Sequence, residues 1–250
     1  NDKNNFMDLA DELGMAVPLT LRFGNPAEAR DLNGLPYPCY VKASVSISGA
    51  GIYRCEDAAE VRAALDSYTP ETPVQIQEEV RTDLFLNIQY EVIDGLLRRL
   101  MITEQVLDGF VHQGNRYPSE HAPWGSVEIM AQWMAASGMK GGFAFDVGVV
   151  ETPFGYRYLP IECNPRFNGA SYPTAVAKKL ELESWTAVQL PTRHRHLVHL
   201  DLGGIEYDPT TKSGVVVVNW GPVRVGKVGF LLAGSLEQQK ALRLELLQRL

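Results

Sequence analysis

The sequence is poor in cysteine: its 250 residues hold three, Cys39, Cys55 and Cys163, widely separated and odd in number. That pattern lacks metal-ligand spacing, argues against a disulfide framework and suits a reducing cytoplasm. There is no apolar run long enough to cross a bilayer, so no membrane association is expected. The first fourteen residues are polar and mixed in charge, unlike a secretory signal. A cationic excess is lacking too: the formal net charge is −7, which argues against a general nucleic-acid binder with a basic face. It leaves room for a nucleotide, because a few local cations can hold a triphosphate within an acidic protein. No Gly-Lys-Ser/Thr opens a helix, which rules out a Walker-type phosphate loop. Internal repeats and low-complexity tracts are also missing.

What is present is ordinary for a globular protein, with 45% hydrophobic and 21% charged residues. The length suffices to bury a sizeable core in one large domain or two small ones. Phe6, Leu9, Ala10 and Leu13 recur at helical spacing before Gly14, which predicts a helix over 4–13. A second helix is predicted over 57–68, with Asp57 as its cap and Ala58, Val61, Ala64 and Leu65 on one face. Strands are predicted over 17–23, 39–46, 52–55, 74–80, 84–93 and 96–105. A helix over 126–137 follows, then a hairpin of 143–150 with 156–163 around the turn Thr152-Pro153-Phe154-Gly155. The remainder reads as a helix over 173–190, strands over 214–220 and 223–232, and a helix over 236–250. The segment 194–209 has the weakest pattern and is expected to be a loop or domain boundary. Helices and hairpins alternate, so the expected class is α+β on antiparallel sheets.

Two features carry chemistry. The first is the run Tyr40 to Ile52, in which a strand ends in Lys42 and a Ser/Gly-rich turn leads into the next strand. Small residues let a backbone approach a ligand closely, successive N–H groups in such a turn can hold an anion, and a lysine adds a point charge for phosphate oxygens. Taken alone, the run fits a plain glycine hairpin with a solvated lysine more readily. The second is the hairpin with Asp146 on one strand and Glu162 and Asn164 near the end of the other, followed by Pro165 and Arg166. Glu162 and Asn164 are two apart and leave one face of a strand. Two carboxylates and an amide oxygen are hard donors that suit Mg²⁺ or Mn²⁺. Arg166 can neutralise phosphate or clamp a carboxylate. Cys163 then points to the opposite face as a small buried residue. Asn87, Arg98 and Arg99 lie on central strands, and strand parity does not say which of them faces the phosphates. The run 112–118 could line an acceptor site, though a lone His112 in a loop is more often a surface residue. His194, His196 and His199 lack matched ligand partners and are read as solvated.

The order of these pieces resembles the ATP-grasp superfamily of ligases. Asp2-Lys3 opening a helix, Val41-Lys42-Ala43-Ser44 with its glycine loop, Gln77-Glu78-Glu79-Val80 ending a strand, Asp146, and Glu162-Cys163-Asn164-Pro165-Arg166 follow the family's sequence order. The resemblance covers roughly residues 1–190. It implies two α+β subdomains with antiparallel sheets clasping ATP. The implied divisions are an entry helix and strand over 1–35, a small lid subdomain over 36–82, a large subdomain over 83–190 and an extension over 191–250. By resemblance, Lys3 and Lys42 hold the ATP phosphates, and Ser48, Gly49 and Gly51 belong to a loop that closes over them. The backbone of Gln77, Glu78, Glu79 and Val80 meets adenine, and Glu78 or Asp83 reaches the ribose. Asp146, Glu162 and Asn164 fall on the metal ligands, and Arg166 steadies the reacting group beside Lys42. The implied activity is an ATP-dependent carboxylate–amine ligase that acts on small molecules such as amino acids or peptides, in a possible homodimer. The family's preceding α/β domain is expected to lie outside this chain. The alternatives are a nucleotide-binding module without turnover and a carboxylase-type enzyme with another acceptor.

Overall fold

The structure is a computed structural model and describes residues 2–29, 34–46, 51–109 and 111–250. Along the chain run α1 (Lys3–Glu12), β1 (Thr20–Phe23), β2 (Cys39–Ala43), β3 (Ile52–Cys55), α2 (Ala58–Asp66), β4 (Val74–Glu78), β5 (Phe85–Ile93) and β6 (Leu96–Asp108). There follow β7 (Val111–Tyr117), α3 (Glu128–Ala136), β8 (Gly141–Thr152), β9 (Gly155–Asn164), α4 (Ser171–Lys179), β10 (Trp185–Pro191), β11 (Gly214–Asn219), β12 (Lys227–Ala233) and α5 (Leu236–Arg249). The expected α+β class on antiparallel sheets is what the chain forms. Among the described residues no helix is long and apolar enough to cross a membrane.

Three expectations need correction. β7 occupies a run read as a loop, and β10 occupies the second half of a predicted helix. That helix stops early because Glu181 turns the chain through a positive φ of 52°, a conformation that ends a right-handed helix. The predicted strand over 223–232 is likewise split: a short 3-10 turn, Gly221–Val225, ends at Gly226 in the left-handed region before β12 begins.

The chain divides into two compact units, Asn1–Arg99 with Pro123–Arg166, and Leu100–Ala122 with Phe167–Leu250. In the first, a small antiparallel sheet has the order β1-β4-β2-β3. The two-residue period of its strands separates two buried faces. One is apolar: Cys39, Val41, Cys55, Val74 and Ile76 pack on Val61, Ala64 and Leu65 of α2. Asp57 caps α2 by accepting from the amides of Ala59 and Glu60. The other face is polar, with Thr20, Lys42, Gln75 and Gln77 all buried. It lies against α1, where Asn4 Nδ2 donates to the Val74 carbonyl at 3.3 Å and Met7 Sδ sits 4.0 Å from Gln77 Nε2. The start of α1 is pinned beyond β2: Lys3 N donates to the Ser44 carbonyl at 2.8 Å, and the Ser44 hydroxyl bonds to Asp2, the helix cap.

The same unit holds β5, β8 and β9, joined antiparallel in that order. Their apolar face centres on Tyr90, Phe143 and Phe145, with Tyr90 stacked on Phe143 at 5.6 Å between ring centroids and edge-on to Phe145 at 6.1 Å. Such offset and edge-to-face pairs add to the burial of large rings. Phe6 of α1 approaches Phe145 at 6.5 Å, so the helix also packs on this layer.

In the second unit, β6, β7, β10, β12 and β11 are joined antiparallel in that order. Val188, Val228, Phe230 and Leu232 form a core with Leu246 of α5, and α5 opens with a reciprocal cap between Ser235 and Gln238.

Candidate functional site

The site begins at the end of β2. Lys42 is paired across the ladder with Gln75, and its neighbour Tyr40 with Gln77, so these side chains share the polar face. Lys42 is 7% exposed, and its Nζ donates to Gln77 Oε1 at 2.7 Å. Gln77 is itself held by donating to Thr20 Oγ1 at 2.9 Å. A neutral amide does little to compensate a buried ammonium. Burial therefore lowers the Lys42 pKa to about 8, with Glu162 pulling it upward and Lys3 pushing it further down.

Lys3, in the first turn of α1, is 5% exposed. Its Nζ lies 3.4 Å from Glu162 Oε2 and 3.1 Å from Ser46 Oγ. Two buried lysines thus stand near one carboxylate.

Glu162, Asp146 and Asn87 face one another across β9, β8 and β5. Asn87 Nδ2 donates to Asp146 Oδ1 at 2.7 Å, and Asn164 Nδ2 donates to Asp146 Oδ2 at 2.9 Å. The Asp146 carboxyl is pushed well above the usual carboxylate range by burial first and by the Glu162 charge second, while the two amides pull it down. Asn87 Oδ1 is buried without a hydrogen-bond partner. A cation would answer both features, because it stabilises the ionised carboxylate and supplies a partner for an orphaned oxygen. The donor set is two carboxylates with flanking amides, all hard oxygens suited to Mg²⁺ or Mn²⁺. Among the described residues no three His, Cys, Asp or Glu side chains gather as a metal site. Two carboxylates agree with an ion that keeps waters and takes other ligands from phosphates.

Cys163 lies between these ligands and turns away, its Sγ 3.8 Å from Met134 Sδ. Burial and the nearby carboxylates push its thiol pKa up, which removes it as a nucleophile. Arg166 follows in a turn where its N–H donates to the Asn164 carbonyl at 2.8 Å, and its side chain is exposed.

The segment 77–83 connects the small sheet to β5, and its side chains are largely committed to framework. Glu78 Oε1 accepts from Leu19 N at 2.8 Å. The Glu79 carboxylate accepts from Tyr40 Oη at 3.0 Å and Arg54 Nε at 2.5 Å. Val80 presses on β8 at Gly148, where any Cβ would come within 2.7 Å of Val80 Cγ1. Asp83 is exposed. Ser48 and Gly49 lie outside the described residues. Gly51 has a φ of +69°, and its carbonyl accepts from the Tyr68 hydroxyl.

Lys3, Lys42, Asp146, Glu162 and Asn164 therefore gather within the first unit. Sequence reasoning left Asn87 as one of three candidates to face the phosphates, and the register across β5 and β8 places it opposite Asp146. The side-chain role of Gln77 in holding Lys42, and that of Ser46 beside Lys3, were missed. The alternation of Gln75, Ile76 and Gln77 was the available signal for Gln77.

No protein-family model and no curated protein sequence matches the chain. Solved structures do. N5-carboxyaminoimidazole ribonucleotide synthetase from Thermus thermophilus aligns over 100% of this chain and 72% of its own, with a TM-score of 0.72 and 13% identity. Carboxyaminoimidazole ribonucleotide synthase from Aspergillus clavatus, complexed with ATP, aligns over 99% and 72% with a TM-score of 0.69 and 12% identity. L-amino acid ligase from Bacillus licheniformis aligns over 99% and 70% with a TM-score of 0.64 and 16% identity. At such identities the likeness concerns the backbone. The chain has the ATP-grasp fold.

Proposed function

We propose that this chain is the nucleotide-binding and catalytic core of an ATP-dependent ligase that joins a carboxylate to an amine through an acyl phosphate. One observation carries the reading: the first unit holds two complementary charge deficits. Lys42 is buried against a neutral amide, while Asp146 is half-buried beside a second carboxylate with an orphaned amide oxygen next to it. A triphosphate supplies the anion that the lysines lack, and a divalent cation supplies what the acidic row lacks. The solved structure of similar fold complexed with ATP supports the nucleotide, and the L-amino acid ligase supports amino acids or short peptides as substrates.

In this reading Lys3 and Lys42 hold phosphate oxygens and neutralise the charge that builds as the γ-phosphoryl group moves. Gln77 fixes the Lys42 ammonium, and Thr20 fixes Gln77. Asp146, Glu162 and Asn164 would hold Mg²⁺, with Asn87 orienting Asp146. When bound, that ion supplies neutralisation of the phosphate oxygens. Arg166 steadies the transferred phosphoryl group or the reacting carboxylate. The substrate carboxylate oxygen bonds to the γ-phosphorus as the bond to ADP breaks. The amine nitrogen then bonds to the carbonyl carbon, phosphate leaves and the nitrogen loses a proton. The first step converts an oxygen that leaves poorly into phosphate, which leaves well. The backbone of Gln77, Glu78, Glu79 and Val80 faces adenine, Glu78 or Asp83 the ribose, and Ser48, Gly49 and Gly51 close over the phosphates.

ADP release with a panel of amino acids and short peptides tests this reading. Release that requires both a carboxylate and an amine is expected. ATP binding without turnover indicates a nucleotide-binding module, and release driven by bicarbonate with no amine indicates a carboxylase. Either result overturns the ligase reading.

A further inference from the structure

The cysteines are far apart in the sequence, yet the fold sets two of them side by side. Cys39 opens β2, Cys55 closes β3, and the ladder pairs them directly. Glu79 N donates to the Pro38 carbonyl at 3.1 Å and Ser44 N to the Pro73 carbonyl at 2.8 Å. Tyr40 and Lys42, in step with Pro38 and Ser44, therefore direct their backbone bonds to β4, and Cys39 directs its own to β3. Opposed residues of such a hydrogen-bonded pair have Cα atoms about 5.5 Å apart, inside the ~4.4–6.8 Å that a disulfide spans. Both side chains leave one face of the sheet and are buried in the core beneath α2. Cys163 has no such neighbour: it lies on β9 opposite Phe145, with its Sγ against Met134.

Both sulfurs of the pair are free thiols. Cys55 Sγ rests 3.8 Å from the Tyr53 carbonyl, a weak contact. Burial, and then the adjacent Cys55 sulfur, push the Cys39 pKa up to about 11, and burial raises that of Cys55 as well. Neutral thiols react slowly, so a closed sheet protects the pair. β3 is an edge strand of the small sheet, and such elements open locally more readily than central ones. Once Cys55 is uncovered and oxidised, its partner is already in place on the next strand.

We propose that Cys39 and Cys55 form a reversible oxidation site, closed to a disulfide by a peroxide and reopened by a small thiol. The Cys55 sulfur, giving up its proton, attacks a peroxide oxygen; the O–O bond breaks, water leaves and a sulfenic acid remains. The Cys39 sulfur then attacks the sulfenic sulfur, and the S–O bond breaks as the second water departs with the Cys39 proton. Two thiols and one hydrogen peroxide thus give one disulfide and two waters, with two electrons passing from sulfur to oxygen. Opposed Cβ atoms lie about 4.5–5.5 Å apart, wider than the ~3.8 Å of a relaxed disulfide, so closure draws the strands together and leaves a bond that thiols reduce readily. That bond ties β3 to the strand that carries Lys42. Its formation does not rest on the ligase reading.

Treatment of the nucleotide-free full chain with hydrogen peroxide, followed by thiol titration in denaturant and peptide mapping without reductant, tests the proposal. The three thiols are expected to fall to Cys163 alone, with the Cys39 and Cys55 peptides joined and the intact mass lower by two hydrogens. Dithiothreitol should restore all three. In Cys39→Ser the linkage should vanish and dimedone should trap Cys55 as its sulfenic acid. Mapping of the wild-type chain tests the linkage whether or not that variant folds. Cys39 and Cys55 that stay free after prolonged exposure, that pass to sulfinic acid without linking, or that link to Cys163 or to another chain would each overturn the proposal. So would a folded Cys39→Ser whose Cys55 takes up no dimedone. None of these readouts involves nucleotide, so ATP turnover remains a separate test of the ligase reading.

Discussion

Lys3 Nζ lies 3.4 Å from Glu162 Oε2, which links the first turn of α1 to the end of β9. Both residues act on the charge of Lys42, so one carboxylate stands against two buried ammonium groups. Such a cluster costs stability unless further anions complete it, and phosphate would do so.

Replacing Glu162 by Gln removes the negative charge while keeping the shape. ATP consumption in the presence of carboxylate and amine is expected to fall at least about a hundredfold, the scale seen when one electrostatic contact to a transition state is lost. A coupled assay for ADP measures it, and consumption at the wild-type rate would contradict the placement of Glu162 in the site.

Lys42 provides a pH signature whose sign can be worked out. In the fold its pKa is lowered to about 8, whereas in the unfolded chain a lysine titrates near about 10.4. Between these values the unfolded state binds more protons, so stability of the nucleotide-free protein should rise with pH. Urea midpoints measured across that window should climb in the wild type more than in Lys42→Met. Phosphate binding should raise the Lys42 pKa, so nucleotide binding at about pH 9 should take up a proton, seen as buffer-dependent heats of binding.

Much of this was legible in the residues, for identifiable reasons. The Asp57 cap and the apolar spacing of Val61, Ala64 and Leu65 marked α2 because its face is buried in the ordinary amphipathic way. The β8–β9 hairpin was marked by a turn with proline and glycine between apolar runs, and its acids by their position within them. β7 was missed because Gly114 and Asn115 are buried polar or side-chain-free positions, which carry no apolar alternation. β10 was missed because the break before it is Glu181, a residue that normally continues a helix. The placement of Asn87 beside Asp146 depends on strand register, a long-range pairing that one strand's sequence does not contain.

Gly114 has a requirement of its own. A Cβ there would lie 1.8 Å from the Ala187 carbonyl oxygen of β10, a backbone atom that cannot swing aside. Gly114→Ala is expected to destabilise the second unit by about 3 kcal/mol, at the upper end of typical overpacking costs. Urea unfolding monitored by Trp185 fluorescence would show it, and a change below about 0.5 kcal/mol would mean that the β7–β10 approach is looser than described.

The most direct test is a crystal structure of the chain with a non-hydrolysable ATP analogue and Mn²⁺, located by its anomalous signal. The phosphates are expected against Lys3 and Lys42, with the manganese peak at Asp146 and Glu162. A nucleotide bound elsewhere, or a metal peak away from those carboxylates at saturating concentrations, would contradict the account.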